Sequence, residues 1–315
     1  MAWGRRISRG VAHSDSCYPI FGSWATCATW HTGAVTSTSF SVASVNVNGI
    51  RAAYRKGMGQ WIEEAQPDVI LLQEVRAEEK IAADLLGDQF DTFIAPSLIK
   101  GRAGVGVAVA KDSTKIGLAP GAQNTIGLAQ QEELVDSGRW IEVDLVTASG
   151  FPLRMVSAYF HSGQINDPKQ DFKMRHLASI DARVRELLSR SGEGGPQTLV
   201  AGDFNVVRSE MDIKNWKANY NKTSGVLDEE IAYLNGWVDA GWCDVVRTLT
   251  GPTPGPYSWW SWRGKAFDND TGWRIDYHYA TPGLAGRALA ARVDRAISWD
   301  TRFSDHAPVV VQFEA

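Results

Sequence analysis

From Phe40 onward the chain alternates short apolar runs with polar breaks, and this pattern predicts an α/β fold of layered, mixed sheets. Phe40-Ser41-Val42-Ala43-Ser44-Val45-Asn46-Val47-Asn48 reads as a strand ending in two asparagines and Gly49. A short helix is expected over Gly59–Ala65. Pro67–Val75 holds the run Val69-Ile70-Leu71-Leu72 and reads as a buried strand closing on Gln73-Glu74. A helix over Ala77–Leu86 follows, then strands near Thr92–Ala95, Gly104–Ala110, Arg139–Thr147 and Leu153–Tyr159. An amphipathic helix spans Pro168–Ser189 and another helix Asp228–Ala240. Between them Thr198-Leu199-Val200-Ala201 is a buried strand, ended by Gly202, with Asp203 and Asn205 beyond it. Residues two apart on an extended backbone face the same way, so a carboxylate and a carboxamide are expected side by side there. Arg274–Thr281 and Ala307–Phe313 supply further strand-like stretches. Residues 1–38 show neither period and read as an irregular, disordered tail ahead of one domain over 39–315. A start at Val35 would account for the missing pattern; intact-mass analysis from the native host, finding residues 1–34 present, would exclude it.

Polar residues gather where the strands end: Asn46 with Asn48, Gln73 with Glu74, Tyr159, Asp203 with Asn205, Asp276, and Asp305 with His306. One such acid is commonly a satisfied structural group. A whole set is costly to bury without partners, and sheet folds place sites where strand ends converge. The chemistry suggested is metal-assisted attack of water on a phosphate. Magnesium takes oxygen ligands and keeps several waters, so one or two carboxylates suffice, and Glu74 is the best single candidate. No Cys/His group has zinc-finger spacing, Gly101–Gly106 lacks the Lys-Ser/Thr of a P-loop, and no Gly-x-Ser-x-Gly elbow is present.

Composition narrows the class without changing that picture. The 315 residues are 44% hydrophobic and 22% charged, as in a globular chain with a sizeable core. The net charge of −4 is mild evidence against a nucleic-acid partner, although local charge matters more than the total. Cys17, Cys27 and Cys243 are too few for a disulfide framework and fit a reducing cytoplasm. No apolar run reaches membrane-helix length, and Arg5-Arg6 is not followed by the apolar stretch of a secretory signal.

Asn46-Val47-Asn48-Gly49-Ile50-Arg51, Leu72-Gln73-Glu74, Gly202-Asp203-Phe204-Asn205, Trp273-Arg274-Ile275-Asp276-Tyr277 and Ser304-Asp305-His306-Ala307-Pro308 occur in that order. Together they resemble the motifs of the exonuclease III family of abasic-site endonucleases, within the endonuclease/exonuclease/phosphatase superfamily. The likeness spans residues 40–314. It implies a four-layer α/β sandwich, two packed mixed β-sheets flanked by helices. It implies an enzyme dependent on Mg2+, with Mn2+ able to substitute, that cleaves duplex DNA 5′ to an abasic site, and usually also acts as a 3′-to-5′ exonuclease and cleans 3′ ends. A monomer is expected. By the same resemblance Glu74 is the main metal ligand, Asn46 orients the metal site, and Asp305 is a further ligand or supports one. Asp203 activates water, Asn205 holds a phosphate oxygen, His306 paired with Asp276 polarises the phosphate, and Tyr159 contacts phosphate or leaving group. Whether Asp203 or the His306–Asp276 pair is the base stays open. Asn48 stands where some relatives carry aspartate. His161-Ser162 replaces the Pro-Asn or Pro-Gln common in relatives, which puts the phosphate contact of Ser162 in question.

For the DNA, Arg51, Arg55 and Lys56 follow the first motif, Arg102 sits in a Gly-rich loop, and Lys214, Lys217, Asn219 and Lys222 follow the central motif. Singly, each is an ordinary solvated charge; together they could track a phosphate backbone. Within the unusual Tyr257–Lys265 stretch some tryptophans must be core. The resemblance makes Trp259, Trp273 and Ile275 a pocket for an extruded baseless sugar, which has lost its stacking and flips at lower cost. Rival readings are a phosphatase or phosphodiesterase of the same superfamily with a non-DNA substrate, and a non-catalytic DNA-binding homologue. The second is disfavoured because every catalytic position is filled.

Overall fold

The structure is a computed structural model that describes residues 39–129 and 132–315. The tail expected over residues 1–38 lies outside them. The strands are β1 (Ser39–Asn46), β2 (Val69–Gln73), β3 (Phe90–Ala95), β4 (Val105–Ala110), β5 (Ile116–Leu118), β6 (Asn124–Ile126), β7 (Trp140–Thr147), β8 (Pro152–Tyr159), β9 (Gln197–Asp203), β10 (Cys243–Asp244), β11 (Asp276–Ala280), β12 (Ala288–Val293) and β13 (Val309–Glu314). The helices are α1 (Ile50–Arg55), α2 (Met58–Ala65), α3 (Glu79–Leu86), α4 (Pro168–Gly192), α5 (Trp216–Asn219), α6 (Asp228–Ala240), α7 (Val245–Thr250) and α8 (Pro282–Ala285).

Two mixed sheets result. One runs β12-β13-β1-β2-β4-β3; the other runs β10-β11-β9-β8-β7-β5, with β6 also on β7. Among the described residues only the central pairs β1–β2 and β8–β9 are parallel, and Asn46, Glu74, Tyr159, Asp203 and Asn205 gather at their ends. Alternation along each strand builds the layers. Val42 of β1 faces the inter-sheet core with Val69, Val107, Leu199 and Val311, while Ala43 and Val45 face the layer of α1, α2 and α3. On the second sheet Val156 and Val200 meet Leu177, Ile180 and Val184 of α4 and Leu234 of α6. Asp167 caps α4 by accepting the Lys169 N–H at 2.9 Å, with Pro168 at the first turn. No helix among the described residues is long and apolar enough to cross a membrane.

The four-layer expectation holds, with local corrections. β1 ends at Asn46, because Asn48 and Gly49 turn the chain with φ of 45° and 100° into the unexpected helix α1. Gly202 does not end β9 but lies inside it, paired with Ala158 and Tyr277. Its φ is 147°, and a Cβ there would stand 1.9 Å from the Ala158 carbonyl oxygen, so β8 approaches as closely as only glycine permits. The short strands β5, β6 and β10 and the edge strand β12 carry no apolar run that would announce them.

Candidate active site at the strand mouths

Register brings the polar residues together. In the second sheet Asp203 pairs with Tyr159 on one side and Asp276 on the other. In the first sheet Asn46 pairs with Gln73, next to Glu74. The Asn46 amide joins the sheets, giving one N–H to Glu74 Oε1 at 3.0 Å and the other to Asp203 Oδ2 at 2.9 Å. Its oxygen accepts the Asn48 N–H at 3.0 Å. Asn205 gives its backbone N–H to Asp203 Oδ1 at 2.9 Å and its side-chain N–H groups to Phe160 O at 3.0 Å and Asp203 Oδ2 at 3.1 Å. The pairing of Asp203 with Asn205 therefore holds, but not through an extended backbone: Asn205 has φ 49°. Glu74 and Arg76 are both at φ 51°, a conformation that costs a non-glycine residue about 1–3 kcal/mol and persists where its surroundings impose it. Gln73 is not part of the site. It turns inward and donates to Ser157 Oγ at 3.0 Å between the sheets.

His306 stands just before β13, with Nδ1 2.9 Å from Asp276 Oδ2 and Nε2 3.7 Å from Asp203 Oδ2. The latter distance is electrostatic reach without a hydrogen bond. Ser258 donates its hydroxyl to the same Asp276 oxygen at 2.5 Å. Burial opposes charge on the His306 ring, but Asp276 and Asp203 outweigh it and raise its pKa to about 10. Burial also pushes the Asp203 carboxyl up to about 8; His306 opposes this, and Asp276 and Glu74 add to it. Asp305 is held below the ordinary carboxylate range despite its burial, by His306 and by hydrogen bonds from Asn48 Nδ2 at 2.8 Å and Trp259 Nε1 at 3.1 Å. Tyr159 is pushed well above a normal phenol by burial and by the charges of Glu74 and Asp203, although the Arg139 guanidinium 4.8 Å over its ring opposes this. It stays a neutral donor.

Glu74, Tyr159, Asp203, Asn205, Asp305 and His306 line one cleft of about 640 Å3 with Trp259, Trp273, Ile275, Ser162, Lys222 and Thr223, while Asn46 and Asp276 stand behind its wall. Trp259 and Trp273 meet edge to face at 5.6 Å, and Ile275 packs beneath them with Val207, Ile213 and Val226. Trp260, by contrast, is core. Arg51, Arg55, Lys56 and Arg102 are exposed but lie outside the cleft lining, and Lys56 sits 4.8 Å over the Trp262 ring. Asn219 is tied into its own turn, donating to Asn215 O at 2.8 Å and accepting from Thr223.

Three participants were missed by sequence reasoning. Arg76 forms an ion pair with Glu74 and lines the cleft. Its signal was the position two residues beyond that acid. Ser258 and Arg139 are known only through partners distant in sequence. Behind the cleft, Arg274 donates to Asp212 at 2.7 Å and to both oxygens of Asp244 at 3.0 and 2.8 Å, and Arg247 joins Asp212 at 2.7 Å. This network anchors the segment that presents Trp273 and Ile275.

Ligand atoms of Glu74, Asp203 and His306 lie within 4.8 Å of one another, all buried. The carboxylates Glu74 and Asp203, bridged by the Asn46 amide, fit a divalent cation that prefers oxygen. Asp305 faces the same cleft.

Known proteins share this arrangement of chain. The Endonuclease/Exonuclease/phosphatase family matches residues 43–306. An exodeoxyribonuclease of Bacillus subtilis is 28% identical over 267 residues, covering 84% of this chain and 96% of its own. A DNA-(apurinic or apyrimidinic site) endonuclease of Dictyostelium discoideum is 25% identical over 279 residues, covering 88% and 71%. The structure of an AP endonuclease from Archaeoglobus fulgidus superposes with a TM-score of 0.69 at 22% identity, covering 88% of this chain and 100% of that one.

Proposed function

The chain belongs to the endonuclease/exonuclease/phosphatase family, and from that premise we propose that it is a DNA-repair nuclease hydrolysing the phosphodiester 5′ to an abasic site in duplex DNA. The same site then serves 3′-to-5′ exonuclease and 3′-end cleaning. The observation that carries this reading is the shared cleft: Trp259, Trp273 and Ile275 form an apolar wall beside Glu74, Asp203 and His306. A baseless sugar fits against that wall, whereas a nucleotide that keeps its base pays for unstacking and needs more room.

Glu74 and Asp203 would hold Mg2+, with Asn46 orienting both carboxylates. When bound, the ion supplies charge neutralisation at the phosphate and lowers the pKa of water. The remaining roles belong to the chain's own atoms. His306 keeps its proton near neutral pH, held by Asp276, so it serves as a cationic donor to a phosphate oxygen and not as the base. Asp203 takes the proton of the attacking water. Asn205 fixes Asp203 and reaches a phosphate oxygen only by releasing one of its present amide hydrogen bonds. Tyr159 remains a neutral phenol and donates to the phosphate or the leaving oxygen. Exposed Arg51, Arg55, Lys56, Arg102 and Ser162 supply sequence-independent contacts to flanking DNA.

The test is incision of a duplex carrying one tetrahydrofuran abasic analogue, in Mg2+ or EDTA, by wild type and Glu74→Ala. Mg2+-dependent incision 5′ to the analogue, lost in the variant, is expected. Activity confined to small phosphate esters would overturn the reading.

A further inference from the structure

Away from the cleft, Asp136, His161 and His176 converge from three segments: the turn before β7, the residues just after β8, and the inner face of α4. One ligand atom from each lies within 4.8 Å of the others. His161 Nε2 is 2.6 Å from Asp136 Oδ1, and the His176 ring meets His161 edge to face at 5.1 Å. His176 is only 3% exposed, and neither of its ring nitrogens has a hydrogen-bond partner. A buried polar atom left unpaired costs about 1–3 kcal/mol, so an imidazole with two of them, turned toward a histidine and a carboxylate, calls for a ligand. The charged neighbour Arg139 does not fill that role. It gives its Nε–H to Val135 O at 2.9 Å and lies over Tyr159.

We propose that Asp136, His161 and His176 form a second metal site, distinct from the catalytic carboxylates, that binds a transition-metal ion of the zinc type. Two imidazoles and one carboxylate suit zinc, whereas the oxygen-lined cleft suits magnesium. Tetrahedral bonds of about 2.0–2.2 Å set ligand atoms roughly 3.4 Å apart, so modest side-chain rotations close the present cluster around an ion. Burial lowers the pKa of His161 and takes that of His176 to about 3, which leaves both rings neutral, as ligation requires. The His161 ring tautomerises on binding: its single proton moves to Nδ1, Nε2 donates its lone pair to the ion, and Asp136 remains a carboxylate. The partly exposed Asp136 side chain gives the ion its entry. A bound ion would pin the 132–138 turn and α4 to the end of β8, two residues from Tyr159.

The full chain, stripped with EDTA and desalted, would be titrated with Zn2+ against a chromogenic chelator and with Co2+ by visible absorption. The cleft can also take these ions, so the reading is the difference between wild type, Glu74→Gln and His176→Phe. One tight equivalent should survive Glu74→Gln and weaken at least about tenfold in His176→Phe, with loss of its Co2+ band. Should His176→Phe misfold, the double variant Asp136→Asn/His161→Asn answers the same question. Equal tight stoichiometry in wild type and the folded cluster variant would overturn the proposal, as would loss of all tight binding in Glu74→Gln.

Discussion

Asp212 and Asp244 each face a guanidinium, whereas Glu74, Asp203, Asp276 and Asp305 converge on one buried imidazole and the half-exposed Arg76. Asp203 and Asp276 of the second group are as dry as Asp212 and Asp244, each no more than 3% exposed. Burial opposes ionisation at Asp212, but Arg274 and Arg247 outweigh it and hold its carboxyl below the ordinary value. At Asp203 burial prevails and the carboxyl rises to about 8. The first cluster is balanced and closed; the second carries surplus negative charge and opens onto a cleft. Charge balance distinguishes scaffold from site more sharply here than burial does, because burial is common to both.

Substitution should separate the two. Asp203→Asn is expected to slow incision of the abasic-analogue duplex about 10^2–10^4-fold in single-turnover assays while the protein still folds. A rate within threefold of wild type would remove Asp203 from the chemistry. Arg274→Met leaves Asp212 and Asp244 short of a partner and should cost about 3–5 kcal/mol of unfolding free energy in urea. An unchanged midpoint would mean that the network does not anchor this end of the sheet. The third effect is one of pH, small over any single unit. Folded His306 keeps its proton to about pH 10, while its ordinary value is 6.5, so its stabilisation is complete below 6.5 and lost as pH rises through 10. In EDTA, His306 should lower stability across that window by up to about 1.4 kcal/mol per pH unit, with Asp203 adding to the slope below about pH 8, and Asp276→Asn should flatten it. A slope unchanged in Asp276→Asn would detach His306 from its assigned partner.

Much of this was legible in the chain. The central strands announce themselves as apolar runs because both their faces are covered, and α6 occupies the expected Asp228–Ala240. Strand ends carry the site, so Asn46, Glu74, Asp203, Asp276 and His306 could be named from position. What stayed hidden depends on distance. β12 is an edge strand, mostly half-buried, with its one leucine, Leu289, exposed and a bulge after Ala288, so it shows no period. The Ser258–Asp276 bond joins residues 18 apart and the Asn46–Asp203 bond residues 157 apart, and neither leaves a local trace. His161 was visible only as a departure from the family motif; its neighbours Asp136 and His176 meet it through packing of α4 and a turn.

The central claim is that the acids of the cleft are held in surplus for a cation, and it is tested most directly by urea unfolding in EDTA and in Mg2+, for wild type and Asp203→Asn. The account predicts that at pH 9, above the raised value of Asp203, Asp203→Asn is at least as stable as wild type in EDTA, since it removes one of the repelling charges, and that Mg2+ stabilises wild type markedly more than the variant. A variant less stable than wild type in EDTA, with no Mg2+ effect on either protein, would contradict it.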